Sequence, residues 1–204
     1  MKYLGIIIDR KLKWKNYIDY TQCNIARKIG FMYRSCKYVS KRHKLTIYRS
    51  IIEPYFVYSP TILFALNNAQ IRRLQIQQNK IIRFILNKEY DTPVAEMMGS
   101  MGWLNVKQLI TYHTLKFISQ LRLGQLSSYL YEGIQYNFEV HDCNTRNRNN
   151  MRLSRMKTDL QKKSVFFKGF KLFIQLPAEL KECHSGEIFK RLLKMHCKTL
   201  FILN

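Results

Sequence analysis

The hydrophobic positions of this chain change period twice. Tyr3 to Asp9 is a compact, β-branched run around Gly5, which predicts a short strand needing partner strands that the rest of the sequence does not offer. From Trp14 the period becomes helical. Trp14, Ile18, Ile25, Ile29, Met32 and Cys36 fall on one face, while Lys15, Arg27, Lys28 and Arg34 take other positions around the turn. Ser40 reads as the N-cap of a second helix running to about Ile52 and closed by Pro54. Asn67 or Asn68 opens a long helix with a stripe of Ile71, Leu74, Gln78, Ile81 or Ile82, and Ile85. Gln78 is expected to be a buried pin satisfied by backbone, because an unpaired amide there costs about 1–3 kcal/mol. Pro93 opens a short helix to about Met101, Val106 to Leu121 forms another, and Glu187 to Leu200 reads as the last, with Phe189, Leu192, Leu193 and Cys197 inward. The fold class is therefore mainly α: a helical bundle with a short N-terminal strand and a basic irregular segment before a C-terminal helix.

Charge changes this picture from a generic bundle to one with a preferred kind of partner. The 204 residues carry 35 Lys and Arg against 13 Asp and Glu, a formal net charge of +22. Such an imbalance repels itself unless a polyanion shares the surface, so RNA, DNA or an RNA-DNA hybrid is the first partner to consider. From Arg10 to Lys44 there are eleven Lys or Arg, opposed by Asp19 alone. Between Asp142 and Lys171 nine more accumulate among Asn144, Asn147, Asn149 and Asn150, a composition that predicts a basic loop able to order on a strand.

Other chemistries find little support. The five cysteines, Cys23, Cys36, Cys143, Cys183 and Cys197, are widely spaced and odd in number. They read as free thiols in a reducing, intracellular setting, nucleus or cytoplasm, not a secreted one. Cys183-His184 and His196-Cys197 lack zinc spacing. No phosphate-cradling glycine loop, nucleophile elbow or carboxylate pair is present, so no catalytic residue, metal ligand or cofactor is assigned to this chain. The apolar stretch Ile51–Leu66, 16 residues broken by Glu53, Pro54 and Pro60, does not predict a membrane span. Trp103 after Gly102 reads as a core anchor.

Several short motifs succeed one another in a recognisable order: Tyr3-Leu4-Gly5 with Asp9, Leu12 and Trp14; Leu45, Tyr48 and Arg49-Ser50-Ile51-Ile52 with Pro54; Gln78-Asn79-Lys80 with Arg83; Gly102-Trp103-Leu104; Tyr112-His113; His141 with Asn144-Thr145-Arg146; Lys162-Lys163-Ser164; Leu176-Pro177; and Phe189-Lys190. This series resembles the end of the palm, the thumb and the post-thumb region of non-LTR (LINE/jockey-like) retrotransposon reverse transcriptases. Tyr17, Ser59, Leu63 and Ile174 depart from it, standing where the family usually has His, Gly, Trp and Asn. The resemblance implies an RNA-directed DNA polymerase fragment whose catalytic aspartates, with their divalent metal, Mg, have no counterpart here. Asp9 matches a structural aspartate of the family, not a metal ligand.

On that basis the chain is expected to comprise a terminal palm-like strand (1–12), a helical thumb-like bundle (13–135) and a basic C-terminal extension (136–204). The expected contacts to nucleic acid are Lys13, Lys15, Arg27, Lys28, Arg34, Lys37, Lys41, Arg42, Lys80, Arg83, Arg146, Arg148, Lys162 and Lys163, binding backbone without reading bases. An alternative is a protein-interaction module that pairs through its N-terminal strand or a helical face.

Overall fold

The computed structural model of the chain describes residues 1–131, 134–140, 148, 151–153, 155–183 and 185–199. Among them the architecture is mainly α, as expected, with a two-stranded sheet at the N-terminus. The chain divides into two compact units, Met1–Ile110 and Thr111–Asn204. No helix of the described residues is long and apolar enough to cross a membrane.

The run predicted as one strand without partners is a hairpin: β1 (Lys2–Tyr3) pairs antiparallel with β2 (Ile6–Ile7), Lys2 opposite Ile7 and Tyr3 opposite Ile6. Leu4 and Gly5 make the turn with φ of 45° and 81°, the two positive values that a tight two-residue hairpin connection requires. Gly5 is therefore the reversal of the chain, not a position inside a strand. Tyr58 ties the turn down by donating its hydroxyl to the Leu4 carbonyl at 2.9 Å.

Asp9 organises the entry to the first helix. Its carboxylate accepts the backbone N–H groups of Lys11 (3.1 Å), Lys13 (2.9 Å) and Trp14 (2.7 Å), and Trp14 is held left-handed at φ 59° immediately before the helix starts. Helix α1 (Lys15–Ser35) buries Ile18, Ile25, Ile29 and Met32 as its period predicts, with Tyr17 and Thr21 added; Cys36 beyond its end is buried as well. Ser40 precedes α2 (Lys41–Ile51) in the extended conformation of an N-cap, but its hydroxyl pairs with His43 Nδ1 at 2.8 Å instead of a helix N–H. Pro54 and Pro60 do more than stop α2. Each opens a one-turn helix, α3 (Pro54–Val57) and α4 (Pro60–Phe64), because proline's fixed φ and missing N–H suit a first helical turn. These turns bury Phe56, Leu63 and Phe64.

Helix α5 (Asn68–Leu86) is capped reciprocally by Asn67 and Gln70 and ends at left-handed Asn87, φ 51°. Its buried residues include Leu74, Gln78, Ile81, Ile82 and Ile85. Gln78 is the expected pin: its Nε2 donates to the Leu104 carbonyl at 3.0 Å, and its Oε1 accepts from Gln75 at 2.9 Å. Gln75 in turn accepts the Val106 N–H at 2.8 Å. Helix α6 (Val94–Met101) closes on left-handed Gly102, and Met97 and Met98 pack with Ile82 and the partly buried Trp103. The Trp103 ring stacks on Tyr48 at 4.5 Å, which makes it a core anchor as expected.

Helix α7 (Val106–Arg122) is opened by a reciprocal pair, Asn105 and Gln108, and the division between units falls within it. In the second unit Leu115, Ile118 and Leu121 of α7 are buried. Later in the chain come α8 (Asp159–Lys162), a wide π turn (Val165–Gly169), α9 (Phe170–Ile174), α10 (Ala178–Lys181) and α11 (Gly186–Thr199). Gly169 permits close packing: a Cβ there would lie 3.4 Å from the side chains of Ile118 and Thr114. Phe189, Leu193 and Cys197 form the inner face of α11. The basic segment predicted as irregular is helical at its end, since Thr158 and Gln161 cap α8 reciprocally.

Candidate nucleic-acid interface

The cations of the first unit divide by what they touch. Arg27 and Arg34 are exposed. Seven residues apart, they share the outward face of α1, about 10 Å from each other along the axis. Lys28 is half-buried and turns to the Tyr55 ring, 5.7 Å from its centroid. Lys13 and Lys15 are exposed at the entry to α1, and the Lys13 backbone is fixed at both groups, by Asp9 through its N–H and by Gln70 through its carbonyl. Lys37 is exposed with its Nζ 5.5 Å from the Tyr38 ring centroid, and Lys41 and Arg42 are exposed on the first turn of α2.

Two features raise the positive potential of this surface. The one acidic residue between Arg10 and Lys44, Asp19, is bound by Arg73 of α5 at 2.7 Å, so it is committed to a helix–helix contact. The first turns of α1, α2 and α5 contain no acidic residue, although helix N-termini carry partial positive charge and favour carboxylates there. Helix stability is thus left unoptimised where cations gather.

A groove of about 450 Å³ lies between α1 and the C-terminal half of α5. Gly30 and Tyr33 form one wall, Lys80 and Arg83 the other, and Lys88 and Tyr90 close the end. Tyr33 donates its hydroxyl to the Lys80 carbonyl at 3.3 Å, and its ring packs on Phe84 at 4.4 Å. Burial pushes the Tyr33 hydroxyl above its ordinary pKa, partly offset by the Arg83 cation. Arg83 lies 5.1 Å from the Tyr90 ring centroid and donates one long bond, 3.4 Å, to the Thr92 carbonyl. Its Nε is buried with no hydrogen-bond partner among the described residues. Of the predicted residues the structure brings Lys80 and Arg83 together in this groove. Arg34 approaches it, since a Cβ on Gly30 would lie 3.4 Å from the Arg34 guanidinium.

In the second unit Arg148, Lys162 and Lys163 are exposed. Lys162 stands 3.6 Å from Asp159 one turn earlier. Arg146 lies outside the described residues, as do His141, Asn144 and Thr145.

Two cations escaped the sequence reading. Lys88 joins the groove because Asn87 turns the chain, a role that Asn87's tolerance of left-handed backbone could have suggested. Lys44 is buried at 1% exposure, and nothing in the charge pattern of α2 separates it from its exposed neighbours. Among the described residues no three His, Cys, Asp or Glu side chains gather to hold a metal ion. Cys23, Cys36, Cys183 and Cys197 are free thiols, and burial pushes Cys197 up to about 12.

The chain is a basic, mainly α module with clustered cations and scattered carboxylates. Its sequence relationship is to a transposon reverse transcriptase. The chain is 32% identical over 123 residues to a protein described as the probable RNA-directed DNA polymerase from transposon X-element of Drosophila melanogaster. The similarity covers 59% of this chain and 14% of that relative. No family model and no solved structure matches the chain.

Proposed function

We propose that this chain is the C-terminal part of a non-LTR retrotransposon-type RNA-directed DNA polymerase: the end of the palm, a thumb-like bundle from residue 13 to 135, and a basic extension beyond. It acts by gripping RNA or RNA-DNA hybrid backbone rather than by catalysing nucleotide addition. What carries this reading is the similarity to the X-element polymerase combined with exposed cations on rigid helices, Arg27 and Arg34 foremost. Lys and Arg that neutralise phosphates release counterions, so the grip is sequence-tolerant and strongly salt-dependent.

The test is fluorescence anisotropy of a short RNA-DNA hybrid across a salt series. The expected result is submicromolar binding at low salt that falls linearly in log salt, with a slope of roughly one per phosphate neutralised. Replacing Arg27, Lys28 and Arg34 together by Glu is expected to weaken binding at least tenfold. A folded protein that ignores the hybrid at low salt contradicts the proposal. Unchanged affinity in the triple variant contradicts the placement of the grip on α1.

A further inference from the structure

We propose that the groove between α1 and α5 is a seat for one phosphate group of a nucleotide, distinct from the diffuse attraction of the outward helix face. The inference deepens the reading of the chain as a nucleic-acid binder and rests on it for the source of the phosphate.

Three cations, Lys80, Arg83 and Lys88, line the same concavity, and none takes part in an ion pair among the described residues. Glu89 and Asp91, on either side of Tyr90, form none of those ion pairs either. Like charges that line one concavity repel each other, and an anion bound there relieves that repulsion. Arg83 is the clearest case. A guanidinium offers five N–H donors in a fork that matches phosphate oxygens, yet Arg83 makes one long bond while its Nε remains buried and unpartnered. Leaving such a donor unmet is costly, and the guanidinium as a whole lines the groove, where a phosphate is the anion whose charge and shape fit its fork.

The walls suit a nucleotide better than a bare ion. At about 450 Å³ the groove falls within the usual range of small-molecule sites. Tyr33 and Tyr90 supply ring surface to a sugar or base, Tyr33 held by Phe84 and by its bond to the Lys80 carbonyl. Gly30, on the α1 wall, leaves room for the Arg34 guanidinium, which lies 3.4 Å from where a Cβ on Gly30 would stand.

The test compares two variants of the full chain with equal loss of charge. One removes the groove cations (Lys80→Gln, Arg83→Gln, Lys88→Gln) and the other removes exposed cations outside the groove and outside the expected contact surface (Arg10→Gln, Arg49→Gln, Arg72→Gln). Inorganic phosphate is titrated against chloride at constant ionic strength while the ring signals of ¹³C-labelled tyrosine are followed by NMR, and hybrid binding is measured by anisotropy. The expected result is a phosphate-specific shift at Tyr33 and Tyr90 that the groove variant loses and the control keeps, with hybrid affinity falling at least threefold further in the groove variant. Equal behaviour of the two variants towards phosphate overturns the seat and leaves the nucleic-acid reading standing. A phosphate response confined to the groove in a chain that binds no hybrid upholds the seat and sinks the nucleic-acid reading. Should the triple variant fail to fold, the exposed single substitution Lys80→Gln carries the same comparison.

Discussion

The Nζ of Lys44, almost fully buried, donates to the Asn87 side-chain carbonyl at 2.9 Å and lies 4.4 Å from the Phe84 ring centroid. An amine is thus held inside the first unit by an amide and a ring face, with no carboxylate among the described residues paired to it. Asn87 serves twice, because it also ends α5 in the left-handed conformation. Asn87→Ala is expected to cost about 2–4 kcal/mol, combining a lost bond to a charged donor with alanine's left-handed strain. Asn87→Gly removes the side chain without that strain, so the two variants should differ by about 1 kcal/mol in urea unfolding. Lys44→Met, which removes the buried amine at similar volume, is expected to be close to neutral or stabilising.

Gln78 sits where a hydrophobic residue would satisfy the helical period, and its amide replaces apolar packing with bonds to Gln75 and to the Leu104 carbonyl. Its amide also partly offsets the rise in pKa that burial causes at the Tyr48 hydroxyl. Gln78→Leu keeps the volume and strands the Leu104 carbonyl. The expected loss is about 1–3 kcal/mol, measured by chemical denaturation. A variant as stable as the parent would show that the pin contributes packing alone.

Asp9 titrates below its ordinary carboxylate range, chiefly because Lys13, and with it Trp14 and Lys11, donate backbone N–H groups to the carboxylate. A carboxylate whose folded pKa is depressed stabilises the fold above its unfolded value of 3.8 and loses that contribution as pH falls through the lower folded value. Amide exchange at Lys11, Lys13 and Trp14 is therefore expected to be slow at neutral pH and to speed up below about pH 4 relative to the intrinsic rate. Asp9→Asn should show fast exchange at every pH.

His113 shows the opposite case for a base. Burial, reinforced by the nearby Lys116 charge, lowers its pKa from 6.5 to about 4. The unfolded chain then binds a proton at a pH where the folded chain does not, so the second unit loses stability as pH falls from 6.5 towards 4 and no further below that. The loss is on the order of 3 kcal/mol for a shift of this size. His113→Gln is expected to flatten the midpoint of thermal unfolding between those pH values.

Helix positions were legible because burial imposes a period that survives in one dimension. Ile18, Ile25 and Ile29 on α1 and Leu74, Ile81 and Ile85 on α5 are buried as their spacing requires, and the buried amide of Gln78 finds backbone as its position on the stripe demanded. The hairpin was not legible as such. A two-residue turn inside an apolar run has no polar punctuation beyond Gly5, and Leu4 adopts a left-handed conformation that its residue type disfavours. The short helices α3 and α4 were hidden for a related reason, since proline ends one helix and begins another with the same chemistry.

By itself the sequence determined the helical class, the approximate extent of the longer helices and the excess of positive charge, all of which depend on neighbours a few residues apart or on composition alone. The tertiary structure decided how each cation is used. Arg73 is committed to Asp19 and Lys44 to the interior, while Lys80, Arg83 and Lys88 converge on one groove and Arg27 and Arg34 remain on the outward face. Charge is a property of a residue, but its electrostatic role is set by solvent exposure and by the distance to groups far away in the chain, and those are fixed only when the helices pack.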